Sequence, residues 1–143
     1  MSVFLISKIM KKTILFLLLI SFSTIIFSQK NKITVFETYG SKSTIKGIQG
    51  EVKEHRTIIT YDSETYLFKV QLKGKDPVVF NLDGFIENPN LPGYLESDGL
   101  DDSNQKVNIV LVVRDPEEVH ILIAKDKNNY ISYLGRLVTI QEK

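Results

Sequence analysis

Cysteine and tryptophan are absent from this sequence of 143 residues, and histidine occurs only twice. Without cysteine the chain has no disulfide, no thiolate metal ligand, no cysteine nucleophile and no lipid attached to a cysteine at an export cleavage site. Without tryptophan it also lacks the indole ring that often stacks on bound sugars. The fold must therefore be stabilised by its hydrophobic core without covalent cross-links.

Histidine is too scarce for a transition-metal centre of the usual kind. Glu118 and His120 lie two residues apart and share one face of a predicted strand, whereas His55 follows Glu54 far away in the chain. Structural zinc sites need four protein ligands, and a pair without further partners is typical of surface histidines. We therefore expect no metal and no cofactor.

One long apolar run is present, close to the N-terminus. Residues 13–27 form 15 consecutive positions without a charge, directly after Lys11 and Lys12. A membrane-spanning helix needs about 20 apolar residues, so this run is short for a span and has the length of the apolar part of a signal peptide. We predict a signal peptide over residues 1–28, cleaved after Ser28.

Two features of this leader leave alternatives open. Ile26 is larger than the alanine usually found two positions before the last leader residue, and Met10 offers a second start codon. An uncleaved anchor lengthened by residues 3–9 is the alternative, although three lysines interrupt it. Cleavage predicts a periplasmic or secreted protein, with membrane contact only if the leader stays attached.

The mature chain, residues 29–143, has the length of one domain. Removal of residues 1–28 takes away three lysines and no acidic residue, so the formal net charge falls from +1 to −2. Nucleic-acid binding is driven by clustered lysine and arginine, and this balance does not favour it. We expect no nucleic-acid partner.

Hydrophobic residues of the mature chain recur with a period of two. In "TYLFKVQLK", Tyr66, Phe68, Val70 and Leu72 point to one side, whereas the intervening residues are mostly polar. Turn sequences such as "KGKDP" and "RDPEE" separate the apolar runs. The predicted strands are residues 33–38, 44–49, 56–61, 65–72, 77–82, 107–114, 118–124 and 130–134.

The strand pattern predicts an all-β domain. Short links favour antiparallel neighbours, and "VNIVLVV", residues 107–113, is apolar on both faces, as expected of a central strand covered on both sides. We predict a small antiparallel barrel or a two-sheet sandwich, built from two meanders joined by a long acidic loop.

That loop, residues 83–105, reads "DGFIENPNLPGYLESDGLDDSNQ" and contains no basic residue. Long connections within compact domains are commonly functional, although a solvated crossover is the alternative. The alternating ligands of a calcium loop fail from Asp98 onward, because Leu100 stands at the second ligand position. The candidate binding residues combine aromatic and acidic side chains, and they are Phe85, Tyr94, Glu96, Asp98, Asp101 and Asp102.

The motifs of common enzymes are missing. The sequence contains no serine in a G-x-S-x-G elbow, and "GSKSTIKG", residues 40–47, has the residues of a phosphate-binding loop in the wrong order. We assign no catalytic residue and regard an enzyme as the less supported class.

Two functions remain. The first is an exported, non-enzymatic module that binds an unknown protein through the 83–105 loop, since loops on a rigid scaffold commonly carry binding residues. The second is a barrel that carries a small apolar molecule among its aromatic side chains, as some small barrels do. These aromatic residues are Tyr61, Tyr66, Phe68, Phe80, Tyr130 and Tyr133.

The stretch from "YLESDGLDDSNQKVNIVLVVRD" to "EVHILIAKDKNNYISYL", residues 94–134, resembles a group of short exported all-β proteins of Gram-negative bacteria whose function is unknown. The shared layout is a signal peptide, an alternating β domain, an Asp-rich turn and paired hydrophobic strands that end in aromatic residues. The resemblance implies an exported all-β protein and assigns no catalytic residue.

Overall fold

The computed structural model describes residues 32–142, so the predicted leader and its cleavage site lie outside the described residues. Regular structure in this range consists of ten strands. No helix in the range is long and apolar enough to cross a bilayer. The strands are β1 (Lys32–Ile45), β2 (Ile48–Gln49), β3 (Lys53–Asp62), β4 (Leu67–Leu72), β5 (Val78–Leu82), β6 (Ile86–Glu87), β7 (Tyr94–Leu100), β8 (Lys106–Asp115), β9 (Glu118–Asp126) and β10 (Asn129–Glu142).

The sheet closes on itself. Strands β1, β3, β4, β5, β7, β8, β9 and β10 follow one another as antiparallel neighbours, and β10 pairs with β1 to complete an eight-stranded barrel. The two-residue strands β2 and β6 add to β1 and β7 respectively. The predicted small antiparallel barrel is confirmed, and closure removes the exposed edges that an open sheet would present.

The barrel interior is filled by the side chains that face inward from the alternating strands. Phe68 and Val70 on β4 are buried, whereas Lys69 between them is exposed. On β8, Ile109 and Leu111 are fully buried, and Val110 on the opposite face is only 7% exposed. Cover on both faces of this strand is what its apolar sequence predicts.

Two glycines allow neighbouring strands to approach closely. A Cβ atom at Gly135 on β10 would collide with the backbone oxygen of Glu37 on β1, and one at Gly99 on β7 would collide with the backbone oxygen of Asn81. Both glycines are therefore required where these strands approach each other, since any side chain would push the paired strands apart.

The predicted loop over residues 83–105 is wrong as a single connection. It contains β6 and the whole of β7, a strand of the barrel wall that pairs with β8 along its full length. Leu95, Ser97 and Gly99 form the buried face of β7. Two of these three are small, so the inward face lacked an apolar signal, and the predicted pair of meanders is in fact one continuous series of neighbouring strands.

Three strand boundaries also differ from prediction. The predicted strand 44–49 is a hairpin tip, because Lys46 and Gly47 both adopt positive φ angles, 51° and 77°. Strand β4 begins at Leu67 rather than at residue 65, because Tyr66 has a φ of 58°. Strand β10 continues to Glu142, where it pairs with the start of β1.

Candidate functional site: an acidic groove beside β7

The structure separates the six predicted binding residues into two groups. Tyr94, Glu96 and Asp98 line one groove on the outside of the barrel. Phe85, Asp101 and Asp102 do not line this groove. Three of the six predicted residues therefore lie together in one groove, and the other three lie elsewhere.

The groove has a volume of about 440 Å³ and lies between β7 and the segment that leads into it. β6 forms its outer wall, since Ile86 pairs with Glu96 and Glu87 pairs with Leu95. All lining residues come from one stretch of chain, and they are Asp83, Gly84, Ile86, Glu87, Asn88, Pro89, Tyr94, Glu96, Ser97 and Asp98.

Backbone hydrogen bonds hold the outer wall in place. Asn88 N–H donates to Tyr94 O at 2.8 Å, and Asp83 N–H donates to Asp98 O at 2.9 Å, so both ends of the segment are tied to β7. The turn between them is closed by the Asn88 side chain, whose Oδ1 accepts from Asn90 N–H at 2.9 Å. Asparagine favours such turns because its side chain accepts from the backbone two residues on. The groove is thus a rigid feature of the fold.

Charge in the groove is of one sign. Asp83, Glu87, Glu96 and Asp98 are its acidic lining residues, and no lysine, arginine or histidine lines it. Period-two alternation puts the side chains of Glu96 and Asp98 on the outer face of β7, and both residues are exposed. Four carboxylates in one groove favour a positively charged occupant.

A neighbouring strand orients two of these carboxylates. The Asn108 side chain on β8 donates through Nδ2 to Glu96 Oε1 at 2.8 Å and to Asp98 Oδ1 at 3.0 Å. The cross-strand pairing of Asp98 with Asn108 brings these groups together. Glu87 Oε1 also accepts from the N–H of Gly93 at 3.4 Å.

The groove also has an apolar component. Ile86 is 76% exposed, which is unusual for so large an aliphatic side chain, and it stands in the wall beside Pro89 and Tyr94. Exposed apolar groups among polar ones are typical of interaction sites. The lining therefore suits a partner with both positive charge and apolar surface.

The acidic groups do not form a cation-binding cluster. Over residues 32–142, no group of three or more His, Cys, Asp or Glu residues is placed to hold a metal ion. His120 and Glu118, the predicted same-face pair, do contact each other, with 3.2 Å between Nε2 and Oε1. They remain a pair on the outside of the barrel.

Phe85 and Asp101 have structural contacts. Phe85 is half-buried and packs edge-on against Tyr61, with ring centroids 5.0 Å apart. Asp101 is 8% exposed, and its Oδ1 accepts from the N–H groups of Ser103 and Gln105, each at 2.9 Å. It therefore caps the β7–β8 turn, in which Asp102 is exposed to solvent.

Four of the six aromatic residues proposed for an internal ligand are buried, whereas Tyr130 is half-buried and lines a separate groove, and the buried Tyr133 also lines another groove. Phe68 is fully buried, and Tyr61, Phe80 and Tyr133 are each at most 8% exposed. Burial is the main cause that raises the pKa of Tyr61 to about 12, with nearby Tyr66 and Asp62 adding to it and a backbone hydrogen bond from Phe85 opposing it. Tyr66 is 46% exposed, in a turn.

Sequence reasoning missed the roles of Asp83, Ile86, Glu87 and Asn108. The first three lie in the segment that was identified as acidic and unusual, and the β6–β7 pairing places Ile86 opposite Glu96 and Glu87 opposite Leu95. Asn108 gave no signal, because its contact with two carboxylates depends on the register between β7 and β8.

No protein-family model matches the chain, and comparison with curated proteins and with solved structures likewise found no match. The interpretation of the groove therefore depends on its own geometry and charge.

Proposed function

We propose that this chain is an exported, non-enzymatic binding module that captures a positively charged segment of another protein in the groove between β6 and β7. The observation that carries the proposal is the lining itself, with four carboxylates, no basic residue and the exposed Ile86. Export is the expectation drawn from the leader, and the proposed partner is therefore a protein of the periplasm or the medium.

The arrangement of the carboxylates supports a peptide segment over a single ion. Glu96 and Asp98 succeed each other along β7, whereas Asp83 and Glu87 stand on the opposite wall. A chain with basic side chains at intervals can contact both walls, and its apolar residues can cover Ile86. The rigid walls lower the ordering cost of binding.

The packed interior favours this reading over an internal apolar ligand. Phe36 and Phe68 are fully buried within the barrel, together with Ile59 and Leu111. A carrier of this size would need an interior free of such side chains.

The test uses a fluorescent peptide of alternating lysine and leucine, with an alternating glutamate and leucine peptide as the charge control. Binding is followed by fluorescence anisotropy. The variant Glu96→Gln/Asp98→Asn is expected to bind the basic peptide about tenfold more weakly, as the loss of two exposed ion pairs predicts. Glu117→Gln/Asp102→Asn removes the same charge outside the groove and is expected to bind as the unchanged protein does.

A photocrosslinking residue at Ile86 should attach to the basic peptide, whereas one at Val138, 47% exposed and outside the groove lining, should not. Equal binding of both peptides, or equal losses in the two charge variants, would contradict the proposal.

A further inference from the structure

One end of the barrel carries a group of lysines. Because successive strands alternate in direction, the β1–β3, β4–β5, β7–β8 and β9–β10 connections gather at this end. Each contains or adjoins at least one lysine. We call this surface the lysine end, and its members are Lys46, Lys53, Lys73, Lys75, Lys106, Lys125 and Lys127.

All seven lysines are exposed, and within the described part of the chain none of them forms a salt bridge. Six acidic residues lie in or beside the same connections, namely Glu51, Glu54, Asp76, Asp101, Asp102 and Asp126, and two of them have carboxylates engaged by their own turns. Asp101 accepts from Ser103 and Gln105, and Asp126 accepts from Asn128 N–H at 2.8 Å. The seven lysines outnumber these acidic residues, of which Glu51, Glu54, Asp76 and Asp102 are exposed as well.

An exposed apolar tip stands among these lysines. Ile45 and Ile48 face each other across the β1–β2 hairpin and are 64% and 75% exposed, and Val52 just beyond is 64% exposed. Aliphatic side chains of this size are normally buried. Their exposure together on one tip indicates a contact surface.

The tip is held rigidly. The backbone N–H of Gly47 donates to Asn128 O at 2.9 Å, and that of Lys46 donates to Asn129 Oδ1 at 3.0 Å. Both acceptors belong to the β9–β10 turn, so the hairpin is fixed beside Lys127. The two isoleucines are thereby presented in one orientation, at little further entropic cost when they are covered.

We propose that the lysine end docks on an anionic phospholipid surface, with Ile45 and Ile48 entering the interfacial layer and the lysines contacting lipid phosphates. Apolar side chains that enter the headgroup region and basic residues that approach anionic lipids act together in peripheral membrane binding. This contact would not require the leader, which is the only segment for which the sequence suggested membrane contact. It uses residues other than those that line the proposed peptide groove, although Lys106 pairs with Leu100, two residues from Asp98 of that groove.

The type of side chain at the tip favours a phospholipid surface over a nucleic acid. Both offer phosphates, but single-stranded nucleic acid is held mainly by stacking on aromatic rings, whereas the tip offers branched aliphatic side chains. A second copy of the chain could place its acidic groove against the lysine end, and such self-association would appear as a spectral change that depends on protein concentration and needs no vesicles.

The absence of tryptophan from the chain provides a position-specific probe. Ile48→Trp puts a single emitter at the tip, and Leu91→Trp, at a residue 53% exposed outside the lysine end, is the matched control. Each variant is mixed with vesicles of phosphatidylglycerol and phosphatidylcholine, or of phosphatidylcholine alone. We expect a blue shift, and quenching by brominated lipid, for Ile48→Trp with anionic vesicles only.

Both variants have the same N-terminus, so membrane contact through a retained leader cannot produce a difference specific to the tip. On the Ile48→Trp background, Lys46→Gln/Lys127→Gln is expected to weaken vesicle binding about 30-fold, at about 1 kcal/mol for each lysine. Lys32→Gln/Lys69→Gln removes equal charge elsewhere and should leave binding close to its original strength.

Four results would overturn the proposal. They are no spectral shift with anionic vesicles, the same shift for Leu91→Trp, a concentration-dependent shift without vesicles that indicates self-association, and a shift produced by single-stranded DNA but not by lipid. Loss of peptide binding in the groove would not affect this outcome, so the two proposals can fail separately.

Discussion

The side-chain amide of Asn108 on β8 donates a hydrogen bond of 2.8 Å to Glu96 on β7. The same nitrogen reaches Asp98 at 3.0 Å, so one neutral donor holds two carboxylates at the edge of the groove. This contact allows two like charges to stand close together on one strand face, where their repulsion would otherwise spread them apart.

Replacement of Asn108 by aspartate tests this relationship. Asn108→Asp places a third carboxylate between the other two, and we expect the free energy of unfolding at neutral pH to fall by about 1 kcal/mol. The loss should shrink at a pH low enough to protonate carboxyl groups, because the repulsion then disappears. Urea unfolding at the two pH values measures it. An equal loss at both would show that repulsion is not the cause.

Gly135 offers a test of barrel closure. A methyl group at this position would collide with the backbone of β1, so Gly135→Ala is expected to destabilise the fold by about 1–3 kcal/mol, the usual cost of overpacking. Gly40→Ala is the matched control, because the nearest atom to its Cβ would be 3.9 Å away and its φ is not positive. In thermal unfolding, the midpoint temperature should be clearly lower for Gly135→Ala than for Gly40→Ala. A small effect at both positions would contradict the close approach of β1 and β10.

One buried side chain, that of Thr57, has an unsatisfied polar group. This residue is 0% exposed, and its hydroxyl oxygen has no hydrogen-bond partner. Thr57→Val replaces that hydroxyl with a methyl group of similar size, and we expect a gain of about 1 kcal/mol in unfolding free energy, since an unsatisfied buried polar group is costly.

Thr38 is the natural control for this substitution. It is equally buried, but its Oγ1 donates to Thr57 O at 3.3 Å. Thr38→Val is therefore expected to destabilise the protein or leave it unchanged. If Thr57→Val proved as destabilising as Thr38→Val in the same urea titration, the Thr57 hydroxyl would have to be satisfied in solution.

The buried tyrosines predict a stability change at high pH. Burial raises the pKa of Tyr61 to about 12 and that of Tyr133 above its ordinary value. The unfolded chain loses these phenolic protons near pH 10, whereas the folded chain retains them, so stability is complete below pH 10 and is lost as pH rises toward 12. For Tyr61 the full loss is about 3 kcal/mol.

Tyrosinate absorbance and unfolding free energy measured together check this prediction. Tyr61→Phe has no phenol to ionise, so its stability should decline less steeply over the same pH range. A decline as steep as in the unchanged protein would assign the alkaline loss to other groups.

Sequence patterns anticipated the elements whose inward residues are large. Phe68 and Val70 predicted β4, in which apolar and polar residues alternate. Ile109 and Leu111 predicted β8, which is a continuous run of apolar residues. The same rule missed β7, whose inward residues include Ser97 and Gly99. Close approach of the neighbouring strand requires glycine at position 99, and small inward-facing residues produce no hydrophobic alternation from which a strand could be predicted.

The candidate site was anticipated in composition but not in arrangement. The acidic, mixed character of residues 83–98 was visible in the sequence, and period two would have placed Glu96 and Asp98 on one face had β7 been recognised. Asp101 also had a readable role, because an aspartate two residues before a serine is a common turn signal. The contact with Asn108 was not readable, since it depends on the pairing of two separate strands.

By itself the sequence determined the class of fold, because local alternation and turn chemistry depend on residues close together in the chain. It also determined the charge of the segment around β7. Only the tertiary structure decided that the sheet closes between β1 and β10, that four connections gather their lysines at one end of the barrel, and that Ile45 and Ile48 remain exposed. These features depend on strand register and closure, which are set by contacts between residues far apart in sequence.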